Sequence, residues 1–226
     1  HMLDRIEALM TSLSQISNDI AHDLRTPLAR LHGQLARLAA EPGADALRPQ
    51  VEEAMAQSEE ILAMFAAILR ITEVEGGDRR AMFRRLDLAE IAAGAAEAIE
   101  ALADEKGQKL RLGPWDSAPI EGDARLLTQL VVNLIENAAN HTPPGSTLAV
   151  SVTRESDGAV LTVADDGPGI APAEHALALR RFGRLEHSRN RPGHGLGLPL
   201  VQAIAALHRG ALELVAAIDV VVGPSG

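Results

Sequence analysis

A chain of 226 residues with 46% hydrophobic content has enough apolar material for one ordinary domain plus a smaller element. Its formal net charge of −10 provides no basic field to hold a phosphate backbone, so nucleic acid is excluded as an expected partner. The absence of cysteine rules out disulfides and thiolate metal sites, as suits a reducing compartment, and an aromatic content of 2% leaves the cores to Leu, Ile, Val and Ala. No run of about 18 apolar residues occurs, so no membrane span is expected, and His1-Met2 reads as a cloning remnant rather than part of a signal peptide.

In chain order, apolar residues at Ile6, Leu9, Leu13, Ile16, Ile20, Leu24, Leu28, Leu31, Leu35 and Leu38 recur in steps of three or four, which predicts one long helix from Leu3 to about Leu38. His22 lies two residues from both Ile20 and Leu24, roughly 200° around that helix, and so points away from the apolar seam. Alone it would read as a solvated surface histidine. Its neighbours change that reading: Asp23 adjoins it, Thr26 shares its face at i+4, and Pro27 removes a backbone donor and should bend the helix. An exposed imidazole beside a carboxylate on a kinked helix suits a nucleophile presented to a bulky reactant.

The breaker cluster Ala39-Ala40-Glu41-Pro42-Gly43-Ala44-Asp45 should end this helix. A second begins at Pro49, with Val51, Met55, Ser58, Ile61 or Leu62, Phe65, Ile68 and Thr72 on its inner stripe. The apolar stripe of such a hairpin is too long for two helices to cover, and pairing with a second copy would bury it as a four-helix bundle. A coiled-coil spacer is the plainer alternative, but it leaves the His22 constellation without a role. The polar run starting at Glu75 marks a linker at 76–84, which divides the chain into a helical hairpin at 1–75 and an α/β domain at 85–226.

In the second domain, 86–106 reads as an alanine-rich helix, Lys109 to Leu112 and Pro119 to Glu121 as short strands, and Ala124 to about Asn140 as a helix. Two runs, 147–154 and 159–164, flank Asp157-Gly158 as a hairpin. Leu198 to His208 is a last apolar helix closed by Gly210; beyond it 211–223 should supply closing strands, although no turn signal lies between Leu214 and Val220.

Three motifs here carry chemistry. Asn133, Asn137 and Asn140 share one edge of a helix, where asparagine is unfavourable, which suggests a polar wall for phosphate and a hydrated cation such as Mg2+. Asp165-Asp166-Gly167-Pro168-Gly169-Ile170 follows a strand, so its backbone turn can approach a flat ligand while a carboxylate accepts from an exocyclic amine. Gly193-His194-Gly195-Leu196-Gly197-Leu198 precedes a helix and leaves backbone N–H groups to face an anion. Between the last two, the 187–192 stretch, rich in arginine and poor in apolar anchors, reads as a lid.

The segment His22-Asp23-Leu24-Arg25-Thr26-Pro27-Leu28 resembles the phosphoacceptor box of sensor histidine kinases of two-component systems. The stretch 133–142 resembles their N box, 165–170 their G1 box, Leu179-Arg180-Arg181-Phe182-Gly183-Arg184 their F box, and 193–198 their G2 box, all in the family's order. The resemblance implies an α plus α/β fold, in which a hairpin dimerises into a four-helix bundle and is followed by an α/β sandwich of the histidine kinase, Hsp90 and topoisomerase type. It implies ATP and Mg2+ as cofactors, with phosphorylation of His22 assisted by Asp23, and Thr26 in a reverse phosphatase reaction. Nucleotide contacts would come from Asn133, Asn137, Asn140 and His141, from Asp165, Gly167, Gly169 and Ile170, from Phe182 and Arg184, and from Gly193, Gly195, Leu196, Gly197 and Leu198. Asn137 would hold the metal, and Asp165 would read the adenine amino group. The implied partners are a second copy and a response regulator receiver domain, and the implied location is the cytoplasmic portion of a bacterial inner-membrane sensor whose membrane segments lie outside this chain. Two departures stand out: Asn140 replaces the family's usual Lys or Arg, and the C-terminal hairpin lacks its usual glycine. Competing classes are a non-autophosphorylating ATPase of the same superfamily and a pseudokinase scaffold or phosphatase.

Overall fold

The computed structural model describes residues 27–39, 47–75, 82–155, 158–185, 194–215 and 218–222, the last by backbone alone. The chain divides into two compact units, His1–Gly76 and Gly77–Gly226. In the first, helix α1 covers residues 27–39 and helix α2 spans Arg48–Glu75. Pro49 falls in the first turn of α2, where a missing N–H costs nothing. The predicted inner stripe is buried at Val51, Ser58 and Thr72, but Ile61 is 39% exposed and the buried set extends to Leu69, Ile71 and Val74. One polar knot joins the two helices: His32 Nδ1 lies 2.9 Å from Ser58 Oγ, that hydroxyl donates to Met55 O at 2.9 Å, and His32 Nε2 lies 3.5 Å from Glu59 Oε1. Leu31, Leu38, Leu47 and Ile61 remain exposed on this unit. The predicted bend at Pro27 and the whole helix before it lie outside the described residues.

The second unit begins earlier than the linker reading placed it. Phe83 stacks on His208 with ring centroids 4.7 Å apart, and Arg84 opens strand β1 (Arg84–Asp87), so the last two residues of the expected 76–84 linker are folded in. Strand β1 pairs antiparallel with β3 (Pro119–Gly122) in a two-stranded sheet. Asp87 then caps helix α3 (Leu88–Glu105), its carboxylate accepting from Ala89 N at 2.9 Å, Ala118 N at 3.0 Å and Ser117 Oγ at 2.7 Å. The helix buries Ala92, Ala95, Ala96 and Ala103, small residues that let neighbouring helices approach closely. It ends in a left-handed cap at Gly107, with Gly107 N donating to Asp104 O and Gln108 N to Ala103 O.

Strand β2 (Lys109–Trp115) runs past the predicted end at Leu112 through an irregularity at Gly113-Pro114, which an edge strand tolerates. Helix α4 (Ala124–His141) is capped by Asp123, whose carboxylate accepts from Arg125 N and Leu126 N. Strands β4 (Thr147–Glu155) and β5 (Gly158–Asp165) form the predicted hairpin. Its last pair is Glu155 with Gly158, which puts the connection at 156–157 and Gly158 in the strand, one residue off the Asp157-Gly158 reading. After a 3-10 turn at Pro172–Glu174 and the short helix α5 (His175–Ala178) comes helix α6 (Gly197–Leu207). Strands β6 (Ala211–Leu214) and β7 (Ile218–Val222) close the domain as a regular antiparallel pair despite the missing turn signal.

The main sheet has the order β2-β4-β5-β7-β6, with only the β2-β4 pair parallel. Leu148, Val150 and Val152 of β4 and Leu161 and Val163 of β5 are fully buried, while the alternate residues keep partial exposure. One face of the sheet is therefore covered, and it meets the buried stripe Leu127, Leu130, Val131, Leu134 and Ile135 of α4. Each such side chain contributes about 1.5–3 kcal/mol by burial.

Burial pushes the Asp87 carboxyl upward, but its bonds from Ser117 Oγ, Ala118 N and Ala89 N outweigh that and hold it below its ordinary value. A depressed carboxyl stabilises the fold above its unfolded pKa and loses that contribution as pH falls through the folded value. Asp87→Ala is expected to cost about 1 kcal/mol at pH 7, with the gap to the parent chain shrinking below about pH 4. Urea unfolding followed by emission of Trp115, the chain's single tryptophan, measures it within the second unit.

Candidate functional site

Helix α4 brings the motif segments together because its two long sides do different work. One stripe is apolar and enters the core; the edge beside it carries Asn133, Asn137 and Asn140, each half-exposed. Asn133 Nδ2 donates to Gln129 O at 2.7 Å, which turns its Oδ1 outward, and that oxygen stands 3.7 Å from where a side chain on Gly197 would begin. The start of α6 therefore lies against the asparagine edge. A neutral carboxamide oxygen such as that of Asn133 fits a hydrated Mg2+, which takes oxygen ligands and retains several waters.

At the other end of α4, Thr142 meets the Asp165 turn. Asp165 Oδ1 accepts from Gly167 N at 2.9 Å, and a Cβ on Gly167 would fall 2.6 Å from both that oxygen and Thr142 Cγ2. Only glycine lets the turn close this tightly. The bond leaves Asp165 a second oxygen as an acceptor. The adjacent Asp166 is structural: its Oδ1 accepts from Thr147 N at 2.9 Å and its own N–H donates to Thr147 O. Two neighbouring carboxylates thus divide into one that ties β5 to β4 and one that faces the turn. Gly169 is exposed, and Ile170 O lies 3.1 Å from His175 Nε2.

The F and G2 segments, separated by the expected lid, pack backbone against backbone. Phe182 N donates to Gly195 O at 3.0 Å, and a Cβ on Gly195 would lie 2.6 Å from Gly183 O. Phe182 holds a left-handed φ of 62°, unusual for a side chain of that size, and its ring is 51% exposed. Leu196 and Leu198, expected as nucleotide contacts, bury their side chains in the core at 3% and 7% exposure, so only their backbone is available to a ligand. That backbone is well placed: no side chain caps α6, Pro199 has no N–H, and Leu200 N already bonds Leu196 O, which leaves the amides at the start of the helix for an anion. His141 ends α4 and Arg184 follows the F turn, both half-exposed. His22, Asp23, Thr26, Gly193 and the lid at 187–192 lie outside the described residues.

Three residues that the sequence reading did not single out support the site. Gln108 Nε2 donates to Ala139 O, Thr142 O and Thr142 Oγ1 at 2.8–3.1 Å, and Thr142 Oγ1 donates in turn to Ala138 O. Lys106 Nζ donates to Asn140 Oδ1. The bonds made by Gln108 and Lys106 span 31 to 34 residues and have no local signature in the chain. Only the fold reveals them.

Residues 12–77 match the His Kinase A (phospho-acceptor) domain, and residues 122–222 match the Histidine kinase-, DNA gyrase B-, and HSP90-like ATPase domain. The chain is 31% identical over 212 residues to the sensor protein IrlS of Burkholderia pseudomallei, covering 92% of this chain and 45% of the relative. It is 33% identical over 209 residues to the signal transduction histidine-protein kinase/phosphatase MprB of a Mycobacterium species, covering 89% and 40%. The chain belongs to the sensor histidine kinases of two-component systems. It spans less than half the length of these relatives. The fold is shared with full-length ShkA in complex with AMPPNP, at a TM-score of 0.71 and 22% identity over 94% of this chain and 47% of that one. No helix among the described residues is long and apolar enough to cross a membrane.

The Gly167 contact offers a direct check on the turn. Gly167→Ala forces a methyl group against Asp165 and Thr142 and is expected to weaken nucleotide binding about tenfold, roughly 1.4 kcal/mol. Displacement of a fluorescent ATP analogue measures the affinity, and unchanged Trp115 emission checks that the domain remains folded.

Proposed function

We propose that the chain phosphorylates His22 from ATP and passes the phosphoryl group to an aspartate of a response regulator receiver domain. The observation that carries this reading is the presence of a phosphoacceptor segment, 12–77, and an ATPase segment, 122–222, in one chain, with His22 inside the first. The working division is a dimerisation and phosphoacceptor hairpin at 1–75, a linker at 76–84 and a catalytic domain at 85–226. ATP would lie along the asparagine edge of α4, its adenine amino group donating to Asp165 and its phosphates facing the amides at the start of α6. Asn137, with Asn133 beside it, would hold Mg2+, whose charge offsets that of the phosphates.

In the transfer, a lone pair on one imidazole nitrogen of His22 attacks the γ-phosphorus. The N–P bond forms as the bond to the β,γ-bridging oxygen breaks, and ADP departs with that electron pair. Asp23 accepts a hydrogen bond from the other ring N–H, orients the ring, and takes its proton as positive charge develops. Positioning and charge neutralisation supply most of the rate, because phosphoryl transfer asks little covalent help of the protein. Thr26 would orient water in the reverse dephosphorylation; the MprB relative, described as a kinase/phosphatase, favours this second activity. The exposed Leu31, Leu38, Leu47 and Ile61 suit burial against a second copy in a four-helix bundle. The chain would be the cytoplasmic portion of a bacterial inner-membrane sensor.

Incubation with γ-labelled ATP and Mg2+ is expected to give acid-labile, alkali-stable label on the protein, and His22→Ala is expected to abolish it while binding of the ATP analogue persists. Label retained in that variant would overturn the acceptor assignment. ATP turnover without labelled protein would point to an ATPase.

A further inference from the structure

We infer that Lys106 binds the phosphates of the nucleotide, presented to them by the carboxamide of Asn140. This rests on the reading above that ATP lies along the α4 edge. That edge, as the asparagines build it, is uncharged, whereas a triphosphate is strongly anionic. Lys106 brings a full positive charge to it from another element. A lysine ammonium can only donate, so the atom it meets is fixed as Asn140 Oδ1. A carboxamide oxygen orients the ammonium without neutralising it, which a carboxylate would do.

The base from which Lys106 reaches is rigid. Its own N–H donates to Leu102 O at 3.2 Å, Gly107 and Gln108 close the left-handed cap, and Gly145 N donates to Gly107 O at 2.7 Å. Gln108 then bolts the same turn to Ala139 and Thr142. Because those bonds already join α3 to α4, a further half-exposed amide–ammonium bond adds little to the joint. Its distinctive contribution is the charge. Asn140 lies three residues beyond Asn137, about 4.5 Å further along the helix axis, so the ammonium stands one short step past the residue assigned to the metal. Glu136, one turn before Asn140, is its acidic neighbour: partial burial raises that carboxyl and the Lys106 ammonium draws it back. The Asn140 carboxamide holds the ammonium in place, and an arriving phosphate competes with the Glu136 carboxylate for its charge.

The test compares ATP, ADP and AMP as displacers of a fluorescent ATP analogue from the 226-residue chain. Lys106→Met is expected to weaken ATP by about ten- to hundredfold, ADP by less, and AMP hardly at all. Lys106→Arg should retain most of the preference for ATP. Lys106→Met combined with Asn140→Lys, which returns the charge to the same spot from α4, should restore it. Equal weakening of all three nucleotides, or no weakening of ATP, would overturn the proposal and leave Lys106 as a helix-to-helix tie. Failure of the parent chain to bind any of the three would instead overturn the nucleotide reading on which the proposal rests, so the two failures are distinct.

Discussion

The second domain depends on helix α4 being held at both ends by buried polar bonds. At its start, Asp123 caps the first turn with its carboxylate while its own N–H donates to His208 Nε2 at 3.1 Å. His208 is 4% exposed, and its Nδ1 lies 2.8 Å from Ile204 O, so the ring carries its proton on Nδ1 and links the end of α6 to the beginning of α4. At the far end, the Gln108 amide gathers the last carbonyls. A buried donor or acceptor left without such a partner would cost about 1–3 kcal/mol. With both ends fixed, α4 cannot rotate about its axis. The apolar stripe stays in the core, and the asparagine edge stays where the Asp165 turn and the start of α6 meet it.

That arrangement explains why the motif segments work through backbone and neutral groups. The Asp165 turn, the F turn and the start of α6 approach their neighbours so closely that Gly167, Gly183 and Gly195 leave no space for a methyl group. Such contacts fix backbone amides, and fixed amides can face an anion without reorganising when it arrives. Rigid placement comes from the core beneath: Leu196 and Leu198 are motif residues in sequence but core residues in space, and they anchor the turn whose amides are offered outward.

How much of this was legible beforehand depended on how local each signal is. The asparagine edge, the glycine turns and the alternating strands β4 and β5 are set by neighbours a few residues apart, and the chain displays them directly. The roles of Asp165 and Asp166 are not separable by residue type; what separates them is the pairing of β4 with β5, which brings Thr147 to Asp166. Strands β6 and β7 were obscured because their connection, residues 215–217, contains neither glycine nor proline, yet the ladder to β5 aligns them regardless. Phe83 read as linker because its partner, His208, lies at the opposite end of the domain. Lys106 read as a helix end for the same reason.

Gln108 shows how a site-supporting residue can break a local rule without being misplaced. Its Oε1 is buried with no hydrogen-bond partner, which taken alone is an unfavourable arrangement. Turning the amide over would be worse. The three atoms around its Nε2 are the carbonyl oxygens of Ala139 and Thr142 and the Thr142 hydroxyl, and an oxygen in that place would face both carbonyls in repulsion and pair with the hydroxyl only at the expense of its bond to Ala138 O. One unpaired acceptor is therefore the lesser cost of closing the end of α4 with a side chain from α3. The same closure holds Thr142 against Gly167 and sets Lys106 beside Asn140. A purely local cap, glycine following the last turn of α4, would have satisfied the carbonyls equally well, but it would have brought neither the threonine to the turn nor the lysine to the edge.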